Sequence, residues 1–187
     1  MRRLLDGVYG AGLVGACLCM LAIAGLVGVQ VGGRILDRAL IWAGGSPIGL
    51  QVPSLAEIGG FLFVAAAFLA LPSTLRSGAH VRVTVLANLV TGPAARALSA
   101  LVLAGALALA VWAGWHLGAQ AVDSWQFNTM SFGRVRVPLW IPQAVMTAGM
   151  GLFALALADE LLAALRGDLP AHRRAETERA RAEEGGE

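Results

Sequence analysis

Four long apolar stretches, separated by short segments that hold most of the charge, limit what this chain can fold into. Each stretch approaches or exceeds the roughly 20 residues that a helix needs to cross about 30 Å of hydrocarbon. Apolar residues make up 57% of the 187 residues and charged residues only 14%. Soluble domains usually carry a charged share of about 25%, so this chain lacks the polar surface to enclose a soluble core. It is predicted to be an integral membrane protein.

The four apolar stretches are predicted to be helices. Lipid cannot satisfy exposed backbone N–H and C=O groups, and the stretches lack the alternating pattern of a membrane β-strand. We predict an all-α membrane protein with one four-helix domain over residues 1–165 and a charged tail over residues 166–187. The predicted spans are residues 8–32, 55–71, 97–122 and 139–165.

The connections between the spans differ in character. Residues 33–54 contain several glycines and prolines and are expected to form an irregular loop. Pro72 is expected to end the second span, since proline disfavours helix in the residue before it. Within the connector 72–96, residues 79–90 place most apolar side chains on one side, which favours an amphipathic helix at the membrane interface; an isolated strand is the alternative. The pair Gly92-Pro93 is typical of a helix start.

Arginine counting predicts the orientation, because cytoplasmic segments of membrane proteins carry an excess of Arg and Lys. All 14 basic residues are arginines. Most of them lie at the N-terminus, in the connector 72–96 and in the tail, and both termini are therefore predicted to be cytoplasmic. No dense basic stripe is present, so nucleic-acid binding is not expected.

Ionisable residues inside the spans are few, and such residues are the usual carriers of function in a membrane. His116 lies well inside the third span and is expected to pack with a hydrogen bond to a neighbouring helix. Haem ligation is not expected, because no second histidine lies at a matching depth. Asp159 and Glu160 lie near a span end and are interpreted as interface anchors or as partners of nearby arginines. No catalytic, cofactor or metal site is predicted.

Small residues four apart within the spans indicate close helix packing. The two glycine pairs with this spacing are Gly28 with Gly32 and Gly114 with Gly118. Such pairs allow two helix backbones to approach closely. They favour a protein whose spans pack tightly, within the chain or against a partner.

The stretch Arg-Ser-Gly-Ala-His-Val-Arg-Val, residues 76–83, resembles the R-x-G-x-H-[IV]-[RV]-V-D segment of the DctQ-type small membrane subunits of TRAP transporters. Arg34 after the first span also resembles a family position. Residues 53–57, ending in Glu57, and residues 131–142, including Trp140, resemble two further segments of the family. The resemblance extends over residues 5–165.

The resemblance implies a role that composition does not. TRAP systems import organic acids, using ion gradients, in the bacterial inner membrane. A periplasmic solute-binding protein captures the solute, a large multi-span subunit carries the transport path, and the small subunit enlarges its static scaffold. For this chain it implies no cofactor and contacts with membrane lipids.

The resemblance also suggests which residues form interfaces. Arg76, Gly78, His80 and Arg82 are expected to organise the connector and to contact lipid or the large subunit. Arg34 and Glu57 are expected to pair at the outer face, where Trp140 is a further interface candidate. Two alternatives remain open, a membrane anchor of a redox complex and a small autonomous carrier.

Overall fold

Four helices account for most of the chain. The computed structural model describes residues 2–76 and 93–166, with side chains over residues 7–76 and 97–166. The helices are α1 (Arg2–Trp42), α2 (Leu55–Arg76), α3 (Pro93–Gln126) and α4 (Trp140–Arg166). All four are long and apolar enough to cross a membrane. The predicted all-α class with four membrane-length helices is confirmed, and between the described helices there is only one isolated bridge, from Met130 to Pro138.

The helices pack in the spatial order α1–α2–α4–α3. Helix α2 lies between α1 and α4, and α4 lies between α2 and α3, whereas the remaining pairs touch little or not at all. The small buried core joins all four helices near the end of the molecule where α2 and α4 finish. We call this the termini end, and the opposite end, which carries the two described loops, the loop end. Because α1 and α3 are the outer helices, most of their apolar side chains are exposed.

Helix α1 packs through a single narrow seam. From Gly7 onward, every residue that is not exposed belongs to this seam, apart from Gly15. Its members recur at alternating intervals of three and four residues, as in the seam of a left-handed coiled coil. They are Tyr9, Gly12, Ala16, Cys19, Ile23, Leu26, Gln30, Gly33, Asp37 and Leu40.

The prediction that residues 33–54 form an irregular loop is wrong for its first part, because α1 continues to Trp42. Gly44 ends the helix with a φ of 81°. Its N–H donates to the carbonyl of Ile41 (3.1 Å), and the N–H of Gly45 donates to the carbonyl of Leu40 (2.9 Å), which is the glycine-dependent Schellman ending. Apolar length predicts where a helix leaves the membrane and not where the helix itself stops.

Pro72 does not end the second helix, contrary to the sequence-based expectation. Helix α2 runs through it to Arg76, and Pro72 is among the most completely buried residues of the described part. Helix α3 begins at Pro93, as the Gly92-Pro93 pair predicts. The predicted interfacial helix and the charged tail lie outside the described residues.

Candidate functional site

The middle of α2 contains a backbone carbonyl without its usual partner. Pro72 has no N–H, so the carbonyl of Phe68 cannot accept the helical hydrogen bond from that position. Nearby hydroxyl groups support the following turn: Ser73 Oγ donates to the carbonyl of Ala70 (2.8 Å) and Thr74 Oγ1 to that of Leu71 (2.9 Å). Neighbouring helices and Ser/Thr side chains allow proline inside a membrane helix, and this segment of α2 has both.

Two glycines from opposite neighbours contact this segment of α2, which we call the proline junction (residues 68–74). A Cβ on Gly149 of α4 would lie only 2.7 Å from the carbonyl oxygen of Phe68 and 2.8 Å from its Cβ. A Cβ on Gly12 of α1 would lie 2.9 Å from the carbonyl oxygen of Leu69. Real side-chain carbons are essentially never this close to backbone atoms, so both helices approach α2 because both positions are glycine.

An ionic and aromatic cluster joins three helices at the termini end. Arg76 of α2 lies 3.9 Å from Asp159 of α4, nitrogen to oxygen, and its guanidinium lies 5.2 Å from the centre of the buried Tyr9 ring of α1. The adjacent Glu160 is only 4% exposed. The interpretation of Asp159 as an arginine partner is confirmed. Because Arg76 remains partly exposed, the ion pair itself contributes little stability, whereas the buried Tyr9 ring fixes the position of the guanidinium.

A second group of contacts, at the loop end, holds α2 against the loop between α3 and α4. We call the contacts among Ser54, Glu57, Gly133 and Val135 the loop-end joint. The N–H groups of Glu57 and Ile58 donate to the carbonyl of Ser54 (3.1 and 3.0 Å), which makes Ser54 the N-cap of α2. Its hydroxyl, however, accepts a hydrogen bond from the N–H of Val135 (2.9 Å). The Ser-x-x-Glu pattern therefore does not form a closed capping box, and the serine instead joins the helix start to a loop 81 residues away.

Glu57 completes this joint. Its buried Oε2 atom has no hydrogen-bond partner among the described residues and occupies the space that a Cβ on Gly133 would need. The same Cβ would lie 2.7 Å from Ser54 Oγ. Gly133 is therefore required for the loop to reach the first turn of α2.

We expect Gly133→Ala to destabilise the protein by about 1–2 kcal/mol, since the new methyl group must displace the Glu57 carboxylate or the Ser54–Val135 hydrogen bond. Glu57→Ala should make room for the methyl group, so the double variant should be more stable than the sum of the two single effects. Thermal unfolding in detergent of the wild type, the two single variants and the double variant measures the coupling energy between the two positions. Strictly additive effects would contradict the contact between Glu57 and Gly133.

The loop between α3 and α4 is ordered by polar contacts of its own. The N–H of Ser131 donates to the carbonyl of Val137 (2.9 Å), and its buried hydroxyl accepts from the N–H of Val137 (3.0 Å). In the amide orientation that satisfies both of its ends, Gln143 Nε2 donates to Ser124 Oγ (2.7 Å). Trp140, predicted as an interface residue, stacks at 5.5 Å on Trp125 across the same loop.

The structure does not bring Arg34 and Glu57 together. Arg34 is exposed, Glu57 faces Gly133, and no ion pair joins them, so the predicted pairing is wrong. Arg76 is the one member of its predicted group that is described, and it contacts α1 and α4. Gly78, His80 and Arg82 lie outside the described residues, and their predicted contacts stay predictions.

His116 also differs from its prediction. Its ring is exposed and meets the Trp112 ring of the same helix at 4.7 Å, with an angle of 62° between the ring planes. No hydrogen bond links it to a neighbouring helix over the described segments. These segments also contain no group of three or more His, Cys, Asp or Glu side chains that could hold a metal ion.

Several residues of these joints were not identified from the sequence. Tyr9, Gly12 and Gly149 carry no motif that distinguishes them from the other glycines and aromatic residues of the chain, whereas Gly133 lies in the segment 131–142 that resembles the family. The resemblance of residues 53–57 and 131–142 to the family pointed to this region, and the Ser54-x-x-Glu57 pattern is a further signal in the sequence.

Helices of membrane length, joined to one another by these contacts, define a multi-pass membrane protein. Residues 47–167 match the family of tripartite ATP-independent periplasmic transporters, DctQ component. The chain belongs to this family, and it is therefore a small permease component of a TRAP transporter, as the sequence resemblance predicted. The matched residues include α2, α3 and α4 and begin after the end of α1. No curated protein matches the chain.

Proposed function

We propose that this protein is the small permease subunit of a TRAP-type secondary transporter that imports organic acids with an ion gradient, and that it scaffolds the large transport subunit. Its further partner is a periplasmic solute-binding protein, met through the assembled complex. The protein resides in the bacterial inner membrane with both termini in the cytoplasm, so the loop end faces the periplasm.

The observation that carries this proposal is the position of the polar contacts. Among the described residues, the polar contacts between elements lie near the two ends of the helix group, with the Arg76–Asp159 pair at one end and the Val135 N–H donating to the Ser54 hydroxyl at the other. Between them, contacts between helices are made by small and apolar residues, such as Gly114 against Met150 and Gly118 against Thr147 Cγ2. A transport path needs polar groups at depth, whereas this arrangement supports a static body.

The exposed apolar sides of the outer helices are a second argument for a scaffold role, because the large subunit or lipid would cover them in the assembled complex. Large apolar side chains of α1 and α3 are exposed along much of their length. Lipid covers such a surface as well as protein does, so small residues and shape decide where a second helix binds.

The proposal is tested by reconstitution with the large subunit encoded beside this protein. Proteoliposomes holding both subunits and the binding protein should accumulate a labelled organic acid when an ion gradient is applied. Omitting this subunit should abolish most of that uptake. Full uptake by the large subunit alone, or uptake by this protein alone, would overturn the scaffold role.

A further inference from the structure

Helix α1 extends well beyond the other helices at the loop end. Tyr9 of α1 lies level with Arg76 at the end of α2. Gln30 lies level with Val52, just before α2 begins, because Gln30 Oε1 accepts a hydrogen bond from the N–H of Val52 (2.7 Å). Residues 30–42 of α1 therefore project past the start of α2 by roughly 18 Å, at 1.5 Å per residue. We call this segment the α1 extension.

We place the extension beyond the hydrocarbon region, from the length of its neighbour α2. Helix α2 has 22 residues, which corresponds to about 33 Å and matches the thickness of the hydrocarbon core. Its first turn carries Glu57 and its last turn Arg76, as expected for the two membrane boundaries. Because α1 packs along α2 between these levels, the extension emerges from the bilayer at the loop end.

One face of the extension is covered by the chain itself. Residues 48–52 fold back along the seam of α1, where the carboxylate of Asp37 accepts hydrogen bonds from the N–H groups of Ile48 (2.7 Å) and Gly49 (3.2 Å). A Cβ on Gly33 would lie 2.8 Å from the carbonyl oxygen of Leu50. This return segment therefore replaces α2 as the partner of the seam.

The other faces of the extension are open and, apart from two arginines, largely apolar. Ile35 is 66% exposed and Trp42 is 86% exposed, and Val31, Leu36 and Ile41 are also exposed. Gly32, and Gly28 just before the extension, have no described atom within 4 Å of the position of a Cβ. Outside the hydrocarbon, lipid tails do not cover these side chains, and an apolar patch that faces water marks an interaction surface.

The charges on the extension indicate the sign of charge expected on its partner. Arg34 and Arg38 are exposed and one helical turn apart, a spacing at which like charges destabilise a helix. Asp37, which lies between them in sequence, is already bound to two backbone N–H groups. No described carboxylate forms an ion pair with either arginine, so charge complementarity calls for acidic groups on the partner.

We propose that the α1 extension docks onto the large membrane subunit outside the bilayer, with Ile35 and Trp42 in an apolar contact and acidic side chains of that subunit opposite Arg34 and Arg38. This inference rests on the proposed function and assigns the surface that serves it. A permanent partner fits better than the soluble binding protein, because lasting interfaces are the more apolar ones. The extension also precedes the residues that match the family, 47–167.

Two substitutions in the co-expressed complex test this surface. Ile35→Asp should reduce the amount of large subunit that co-purifies in detergent by roughly tenfold or more, since it places a charge inside a desolvated contact. The control is Phe127→Asp, which alters a side chain that is 78% exposed at the same end but outside the extension. The control should retain the large subunit. Both variants alone should elute and unfold like the wild type, which excludes misfolding.

A photo-crosslinking amino acid in place of Ile35 supplies an independent measurement. An adduct of this protein with the large subunit supports the proposal. Co-purification without any protein adduct overturns it and indicates that lipid covers the extension. Equal loss of the large subunit in Ile35→Asp and Phe127→Asp, or no loss in either, also overturns it. If the wild-type subunits fail to co-purify, the proposed function itself fails, which is a distinguishable result.

The arginines are tested by reversing both charges. The double variant Arg34→Glu, Arg38→Glu should lose the large subunit at low salt, where the wild-type complex is retained. The matched control reverses Arg134 and Arg136, two exposed arginines in the loop between α3 and α4. Retention of the large subunit by the first double variant, or equal loss in both double variants, would overturn the assignment of the acidic contacts.

Discussion

Gly149→Ala is expected to lower the apparent Tm of the purified protein by about 4–8 °C, the shift that corresponds to roughly 2 kcal/mol in a chain of this size. The new methyl group would lie 2.7 Å from the carbonyl oxygen and 2.8 Å from the carbonyl carbon of Phe68. A backbone carbonyl inside a helix cannot turn aside as the end of a side chain can. Helices α2 and α4 must therefore separate, which removes packing along their whole contact.

Gly151→Ala is the matched control for this prediction. Gly151 lies two residues away on the same helix, is exposed, and has no atom within 4 Å of the position of its Cβ. Alanine there should leave the apparent Tm unchanged or raise it slightly, because alanine favours helix over glycine. Thermal unfolding of both variants in the same detergent provides the comparison. An equal decrease in both variants would show that glycine content, and not the contact with Phe68, determines stability.

Gly12→Ala is expected to have a comparable effect, about 1–3 kcal/mol, through the contact between α1 and α2. Its Cβ would lie 2.9 Å from the carbonyl oxygen of Leu69, again a backbone atom. The methyl group would force α1 away from α2 near the level of Tyr9. The ring of Tyr9 would then move away from the Arg76 guanidinium, which lies 5.2 Å from the centre of that ring in the structure.

Gly10→Ala serves as the control for this second prediction, since no atom lies within 4 Å of the Cβ position of Gly10 on the same turn of α1. Besides unfolding, protease accessibility of α1 reports on its detachment from the other helices. We expect faster cleavage in Gly12→Ala than in Gly10→Ala. Equal stability and equal cleavage of the two variants would contradict the close approach of α1 to the proline junction.

The two predicted glycine pairs had different outcomes, although they share one spacing. A Cβ on Gly114 would lie 3.4 Å from Met150 Cγ of α4, and one on Gly118 would lie 3.4 Å from Thr147 Cγ2, so this pair faces a neighbouring helix as its spacing indicated. Gly28 and Gly32 have no described atom within 4 Å of the position of a Cβ. Spacing alone identifies a surface that two helices can share, and it does not identify which helix, or which molecule, supplies the other side.

The proline of α2 shows why a local rule failed. The preference of residues before proline for extended backbone predicted a helix end at Leu71. Proline in a helix interior costs about 3 kcal/mol, because it removes a hydrogen bond and its ring clashes with the preceding turn, and burial of Pro72 between neighbouring helices outweighs that cost here. The hydroxyl groups of Ser73 and Thr74 support the turn that follows.

The sequence by itself determined the features that depend on the solvent around the chain. Apolar length and the backbone's need for internal hydrogen bonds in lipid predict the number of spans and their helical form, and the connector around Arg76 indicated the family. The tertiary structure alone decided which helices are neighbours and which glycines lie close against the backbone of a neighbouring helix. It also decided that the Ser54 hydroxyl accepts a hydrogen bond from Val135. Glu57 contacts Gly133 and not Arg34, the partner expected for it. The physical reason is that membrane insertion responds to the average polarity of about 20 residues. Packing, in contrast, is sensitive to differences of a few tenths of an ångström in the contact distances between residues distant in sequence.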